Sequence, residues 1–407
     1  MRILHISTST IGGAGIVAGR MVEMQKSDGH TVKLITLNNK GYLQATVQQR
    51  SIPLKILARL NTVLSFLDTR EKWTQLTSLS VSANIVSQIE KFSPNVVHIH
   101  NWYNILSIAE IKMLIDKFPT VFHIHDARLM TGGCHYTLNC HSYLSNCNKC
   151  PATYLKKSLV EKSFQTTAKV FASGSPYGVV FPSLWMKKKY EFSPIFQYAQ
   201  VATYAINPIE HIQTETPKQG VGSSVVCVIS DLSAAVKGFD TFLSAIQMLR
   251  ANNNWIKVRA VGGNPTEGQS RKAQKLKVEL LGRLSNVETQ KIILESHLLV
   301  VPSFSENSPT VIIEAQLLKT LVLVTAIDGC LELVEDGVTG YVCETTAQSM
   351  FKEIERSLDS TRPHEIVQQA YLSAMKRTSN SKNSVYKNYQ EVISAHISMV
   401  RGERFDR

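Results

Sequence analysis

Short β-rich apolar runs recur along this chain with helix-length spacers between them, and this alternation restricts its fold more than any other feature. Ile3–Ser7, Val32–Leu37, Val96–His100, Val121–Ile124 and Val201–Ala205 come first, and Val225–Ser230, Val258–Val261, Leu298–Val301, Leu321–Thr325 and Gly340–Val342 follow. Runs apolar at nearly every position are strands covered on both faces, so they predict parallel βαβ units with helices on either side. Asn207–Gly222, polar, with two prolines and no apolar period, reads as a linker between the two sets. The chain's 407 residues also exceed the ~250–300 at which a single core stops growing. The expected class is α/β, with two doubly wound Rossmann-like domains at residues 1–206 and 223–383. In residues 384–407, Val385, Tyr389, Val392, His396 and Val400 fall at helical spacing, predicting a final amphipathic helix that packs back on the N-terminal domain.

Charge separates the halves further. Residues 1–200 hold 22 basic and 10 acidic side chains, so the whole net charge of +12 sits there, and the remainder is neutral. An anionic partner is expected for the first half alone: a phosphate-bearing substrate, an anionic membrane face or nucleic acid. No window approaches the ~18 apolar residues of a membrane span, and the N-terminus runs straight into a strand pattern without a signal peptide. Seven cysteines in such a chain suggest a reducing, cytoplasmic location. Leu54, Leu57, Leu60, Val63, Leu64 and Leu67, rimmed by Lys55, Arg59, Arg70 and Lys72, fit a core-facing helix with a basic edge, or less commonly an interfacial membrane helix.

Several motifs carry chemistry. The turn after the first strand, Thr10-Ile11-Gly12-Gly13-Ala14-Gly15, can bring backbone close to a phosphate at a helix N-terminus. An NAD reading is weak, because Leu37-Asn38-Asn39-Lys40 lacks the carboxylate that holds a ribose. His123-Ile124-His125-Asp126 ends the fourth strand, where a doubly wound sheet borders its ligand crevice, and His125 is the candidate there for proton exchange. His98 and His100 end the preceding strand, and alternation puts each histidine pair on one face. Cys134, Cys140, Cys147 and Cys150 fall within 17 residues as C-x5-C-x6-C-x2-C. Four thiolates suffice for a closed structural zinc site or a redox-sensitive staple, and simple packing is the alternative.

In the second half, Glu306-Asn307-Ser308-Pro309-Thr310 leads from a strand into a helix containing Glu314. Pro309 suits the first helical turn and Ser308 an N-cap, with the helix amides open to a diphosphate. A carboxylate can hold two vicinal hydroxyls, so Glu314 suits a ribose and Glu306 a sugar. Lys237, beside Gly238 in the loop after another strand, can balance a departing diphosphate.

Taken together, the glycine turn, His125-Asp126, Lys237-Gly238, Glu306-x7-Glu314 and Glu332-Leu333-Val334-x-Asp336-Gly337-x-Thr339-Gly340 resemble the retaining glycosyltransferases of family 4 over essentially the whole chain. His125–Pro151, with its four cysteines, is similar to the colanic acid and O-antigen polysaccharide subgroup. The resemblance implies a GT-B fold, two Rossmann-like domains facing a cleft. It implies donor diphosphate contacts at Gly13 and Lys237, sugar contact at Glu306, ribose contact at Glu314, and His125 beside the reacting sugar. Asn307, Ser308, Pro309 and Thr310 belong to the same donor site. Two positions depart from the family pattern: Asp231 opens the lysine loop with no arginine in it, and Gly329-Cys330 stands for the usual glycine pair.

The implied reaction moves a sugar from a nucleotide-diphosphate sugar to a polyprenyl-diphosphate-linked saccharide in surface polysaccharide or lipopolysaccharide synthesis. No cofactor is strictly needed, because Lys237 and the helix at Pro309 would take the leaving-group charge. The enzyme would sit peripherally at the inner face of the cytoplasmic membrane, drawn to anionic lipid by Lys156, Lys157, Lys162 and Lys187-Lys188-Lys189. The rival readings are a GT-B sugar-nucleotide epimerase or hydrolase and a zinc-dependent nucleic-acid-binding protein. Against the latter, the basic residues form no stripe interleaved with aromatics, and nucleic acid is not expected as a partner.

Overall fold

The computed structural model describes residues 1–39, 45–48, 55, 56, 59, 82–154, 157–209, 212, 224–252, 256–327, 329–359 and 363–401. The proposed basic helix over 54–67 lies almost wholly outside the described residues, as does most of the linker.

The chain forms two units, Met1–Pro208 with Ser381–Arg407, and Ile209–Asn380. In the first, β1 (Arg2–Ser7), β2 (Thr31–Thr36), β3 (Thr46–Val47), β4 (Val96–Asn101), β5 (Thr120–His123), β6 (Tyr177–Phe181) and β7 (Val201–Tyr204) form one sheet ordered β3-β2-β1-β4-β5-β6-β7. In the second, β8 (Ser224–Asp231), β9 (Lys257–Gly263), β10 (Val278–Gly282), β11 (Leu298–Val301), β12 (Leu321–Thr325) and β13 (Tyr341–Cys343) are ordered β10-β9-β8-β11-β12-β13. All pairs are parallel. Parallel neighbours need a crossover between them, so helices cover the faces and the central strands are buried throughout, as in Leu298–Val301. This is the GT-B architecture.

Each sheet reverses its winding once, between β1 and β4 and between β8 and β11. In open α/β sheets, ligand crevices form beyond the strand C-termini at such reversals.

Three strands lie outside the apolar runs that the sequence offers. β3 is two residues long, and β10 is a half-exposed edge. β6 follows Pro176 and contains Gly178, which hides its pattern, yet the glycine is where the last helix seats. A Cβ there would lie 2.5 Å from Asn388 Oδ1 and 2.6 Å from Val392 Cγ2. The last helix, Ser381–Val400, buries Val385, Tyr389 and Val392 against Ile3, Val96, Val121 and Val180 of the first unit. Asn388 Nδ2 donates to Val179 O at 3.3 Å and Thr203 Oγ1 at 2.9 Å, so the polar residue on that face is bonded to the strands beneath it.

The Tyr389 hydroxyl accepts from Gln25 Nε2 at 3.1 Å and bonds His98 Nδ1. All three side chains are buried. Removing the hydroxyl strands both partners, so Tyr389→Phe is expected to destabilise the full chain by about 1–3 kcal/mol in urea unfolding. A change indistinguishable from zero would mean that these bonds do not anchor the helix.

Candidate active site

The second unit's winding reversal brings together residues far apart in sequence. β8 runs into a loop ending in a 3-10 turn, Ala235–Lys237, and β11 runs into the Pro302–Pro309 loop. Phe304 N donates to Val236 O at 2.7 Å, closing one loop on the other. Lys237 Nζ then meets Glu306 Oε1 at 2.6 Å, both side chains about one-sixth exposed, and Ser303 Oγ donates to the same oxygen at 2.9 Å. Gly238 makes this approach possible: its φ is +71°, and a Cβ would come within 1.9 Å of Pro302 O. Gly329, after β12, presses from the other side, donating N–H to Glu306 O at 3.1 Å, with its Cβ position 1.6 Å from Asn307 O.

The helix that follows is Thr310–Leu317, and its N-cap is Pro309, not Ser308. Pro309 has ψ of 105°, so helical geometry begins only at Thr310, and no side chain caps the end. The amides of Thr310 and Val311 head the helix ahead of its first bond, Ile312 N to Pro309 O at 3.1 Å. Glu314 is the fifth residue of this helix and is 3% exposed.

The lysine loop itself has no arginine, but a cation reaches its start from elsewhere. Arg283, just past β10, packs over Gly263, where a Cβ would stand 2.2 Å from Arg283 Nε, and its charge is the smallest of the influences that hold the Asp231 carboxyl below its usual range. Burial opposes that shift, and bonds from Ser233 and Asn264 also favour the anion. No local sequence pattern points to Arg283, because 52 positions separate it from Asp231.

In the first unit, Gly12 N-caps the Gly13–Ser27 helix at φ +79° without any side-chain cap. The close approach is at Gly15, whose Cβ position is 2.4 Å from Ser9 O, whereas a Cβ on Gly13 would meet nothing within 4 Å. Gly13 therefore opens onto space at the positive end of the helix.

Five histidines fill one face across β1, β4 and β5. Register pairs His5 with His98, and ring centroids stand 4.5 Å apart for His98–His100 and 4.4 Å for His123–His125. Three hydrogen bonds join part of the set: His125 Nε2 to His100 Nδ1 at 3.0 Å, His100 Nε2 to His5 Nδ1 at 2.9 Å, and His5 Nε2 to Gln25 Oε1 at 2.7 Å. Gln25 uses its amide nitrogen on Tyr389, so Oε1 must accept. That fixes each tautomer in turn: His5, His100 and His125 all carry hydrogen on Nε2, leaving Nδ1 of His125 as an accepting nitrogen. Burial lowers all five, with His5 and His125 at about 4, although Gln25 raises the one and Asp126 the other. The chain of imidazoles is neutral at pH 7.

Among the described residues, the groups with three ligand atoms mutually within 4.8 Å are His5-His98-His100 and His100-His123-His125. Both include His100, whose two nitrogens are already bonded to other rings, so a metal there would have to break the ladder. His125 instead lines a small cavity of about 20 Å³ with Asp126, Arg128 and Trp102. Asp126 bonds Arg128 at 2.7 Å and faces His135 at 3.4 Å. Burial raises its pKa, but Arg128 and His135 outweigh this and hold it at about 2.

Of the lysines expected to attract a membrane, Lys157, Lys162 and Lys188 are exposed, while Lys187 and Lys189 have partners. Lys189 lies 4.5 Å from the Trp185 ring and bonds Thr137, and Lys187 stands 4.0 Å from Glu191, which leaves Lys188 exposed. Lys157 is exposed, and Lys156 is outside the described residues.

Comparison with known proteins draws these features together. The family model described as Glycosyltransferase Family 4 matches residues 11–172, and that described as Glycosyl transferases group 1 matches residues 223–360. The chain is a glycosyltransferase of the family 4 type. This glycosyltransferase resembles sucrose-phosphate synthase from Thermosynechococcus elongatus at TM-score 0.67 and 14% identity, covering 97% of this chain and 99% of that one. Anabaena HepE, in complex with UDP and glucose, aligns at TM-score 0.62 and 16% identity over 99% of each chain. WaaG, a glycosyltransferase involved in lipopolysaccharide biosynthesis, aligns at 0.59 and 14% over 97% of this chain and 99% of that one. No curated protein matches by sequence.

Two outcomes are expected from the site as built. Gly329→Ala forces the Asn307 carbonyl away, and a misplacement of about 1 Å costs on the order of 100-fold in kcat/KM. An unchanged kcat/KM would detach this glycine from the site. The histidines set the acid limit of stability. Their folded-state pKa values lie below 6.5, so as pH falls the unfolded chain takes up protons first. Stability is complete above pH 6.5 and declines toward about 4, by up to ~1.4 kcal/mol per pH unit for each histidine. Urea unfolding from neutral pH to about pH 5 reads this slope, and a flat profile would contradict the neutral ladder.

Proposed function

We propose that this glycosyltransferase transfers a sugar, with retention, from a uridine-diphosphate sugar to a polyprenyl-diphosphate-linked saccharide during synthesis of a bacterial surface polysaccharide. The observation that carries the reading is the Lys237–Glu306 pair across the β8/β11 reversal, followed directly by an uncapped helix N-terminus. That set offers one cation and helix amides to a diphosphate, and one carboxylate to sugar hydroxyls. Two neighbouring structures support the donor class, since HepE is described with UDP and glucose and with UDP-glucose. WaaG, described as acting in lipopolysaccharide biosynthesis, supports the surface-polysaccharide role, and the four-cysteine segment supports the colanic acid and O-antigen subgroup.

In this reading an ammonium with three donors bridges Glu306 and the leaving phosphate. Arg283 supplies, from another loop, the second positive charge that the lysine loop lacks. Thr310 and Val311 amides take up charge as the bond from the anomeric carbon to phosphate oxygen breaks. The acceptor oxygen bonds to the same face of that carbon, and its proton passes to the departing phosphate oxygen. Glu306 accepts from hydroxyls of the transferred sugar, and Glu314 from the ribose. His125, held as the Nε2–H tautomer, lies beside the reacting sugar. The acceptor's lipid places the enzyme at the cytoplasmic membrane face. No helix among the described residues is long and apolar enough to cross a membrane.

A panel of nucleotide-sugars tested by thermal stabilisation identifies the donor, since a true ligand raises Tm by mass action. Glu314→Gln should weaken donor binding about ten- to a hundred-fold, and Glu306→Ala should abolish transfer while the chain still folds. Near-normal kinetics in both variants would overturn the assignment. Full donor turnover without acceptor would favour a hydrolase or epimerase instead.

A further inference from the structure

The segment from Thr131 to Tyr154 contains one 3-10 turn, Ser142–Leu144, and single bridge residues at Cys134 and Thr153, yet much of it is buried. Tyr143, Cys147, Cys150 and Ala152 belong to the first unit's core, with Cys134 packed against it. Long stretches without regular structure are rarely so well covered, because each ordered residue costs about 1–2 kcal/mol of backbone entropy that no helix or strand ladder offsets. Its backbone is also bent into the left-handed region at Gly133, Leu138 and Cys147, with φ of 127°, 44° and 57°. Gly132 is pressed against the Lys157–Phe171 helix, its Cβ position 2.3 Å from Val160 O. Something must hold these turns.

The four cysteines converge at the centre of the segment. Cys134, Cys140, Cys147 and Cys150 line one void of about 10 Å³, closed by Tyr143 and Thr131. That is room for about one water-sized atom. All four are free thiols. Their sulfurs are also addressed by the backbone: Gly132 N–H points to Cys147, and the N–H groups of Ala152 and Thr153 point to Cys150. Amides aimed at a sulfur from two and three residues onward are the outer-shell contacts that orient a thiolate ligand.

We propose that Cys134, Cys140, Cys147 and Cys150 bind one zinc ion as a closed, structural four-thiolate site. The set is soft and complete, leaving no open position for water, which suits Zn²⁺ in a structural role. The sulfurs ring the space more widely than the histidine nitrogens cluster. Bonds of about 2.3 Å draw them to roughly 3.8 Å from one another, so the metal tightens the loop rather than filling a rigid cage. The site lies beside the strand end that carries His125 and Asp126, so it stabilises the loop leaving the reaction centre without entering the chemistry.

The test uses the full chain purified with a thiol reductant and no chelator. Elemental analysis should find about one zinc per chain, and cobalt exchanged into the protein should give the intense absorption of tetrahedral thiolate coordination. Cys147→Ser should lose the metal and lower Tm, whereas Cys227→Ser, a buried cysteine in the other unit, should keep it. Because Cys147→Ser could fail to fold, a chelator titration of the unaltered chain provides a second reading, with Tm expected to fall as zinc leaves. Metal-free protein with four titrating thiols, two disulfides by mass, or iron in place of zinc would each overturn the proposal. Transfer activity plays no part in the readout, so failure here leaves the glycosyltransferase reading untouched.

Discussion

Parallel strand pairing is the constraint on which everything else rests. Two parallel neighbours cannot be joined by a tight turn, so every connection crosses a face and every strand delivers its C-terminus to the same edge. Where the winding reverses, the loops after two adjacent strands diverge to opposite faces and leave an opening between them. In the second unit those loops carry Lys237 and Glu306, which meet at 2.6 Å despite 69 positions of separation. The ion pair is thus a product of topology. The glycines at 238 and 329 refine it, each removing a side chain that would strike a carbonyl of the facing loop.

The same edge logic explains the histidine ladder. His5, His98, His100, His123 and His125 lie on or just past three neighbouring strands with one register, so their rings stack both along the chain and across the sheet. Buried polar rings need partners, and these find them in one another, in Gln25 and in Asn207. Because Gln25 is oriented by Tyr389, the tautomer of His125 is set by a residue 264 positions away on the last helix. The helix thereby does more than cover the sheet.

Charge distribution takes on a different meaning in three dimensions. The first unit's basic excess suggested an exposed attractive surface, but Arg128 is paired with Asp126, Lys189 is spread over Trp185, and Lys187 stands by Glu191. Net charge survives such pairing as a long-range field, and Lys157, Lys162 and Lys188 stay exposed.

Much of the architecture was legible in the sequence because apolar periodicity reports burial directly: nearly every run of Val, Ile and Leu is a strand, and the alternation with helices dictates parallel sheets. β6 was hidden because Gly178 and Pro176 interrupt its pattern, and the reason for that glycine, the seat of Val392 and Asn388, exists only in the folded chain. The motif residues of the second half are visible as types at a spacing, but the sequence offers Ser308 as the cap, since the backbone angle that makes Pro309 the boundary leaves no trace in composition. Arg283, Gly15 as the point of close approach, and the neutral state of five histidines also came only with tertiary structure. The physical reason is the same in each case. Sequence determines which side chains are buried and at what period, whereas distances between loops, the direction of hydrogen bonds and the desolvation of charge depend on which strands become neighbours.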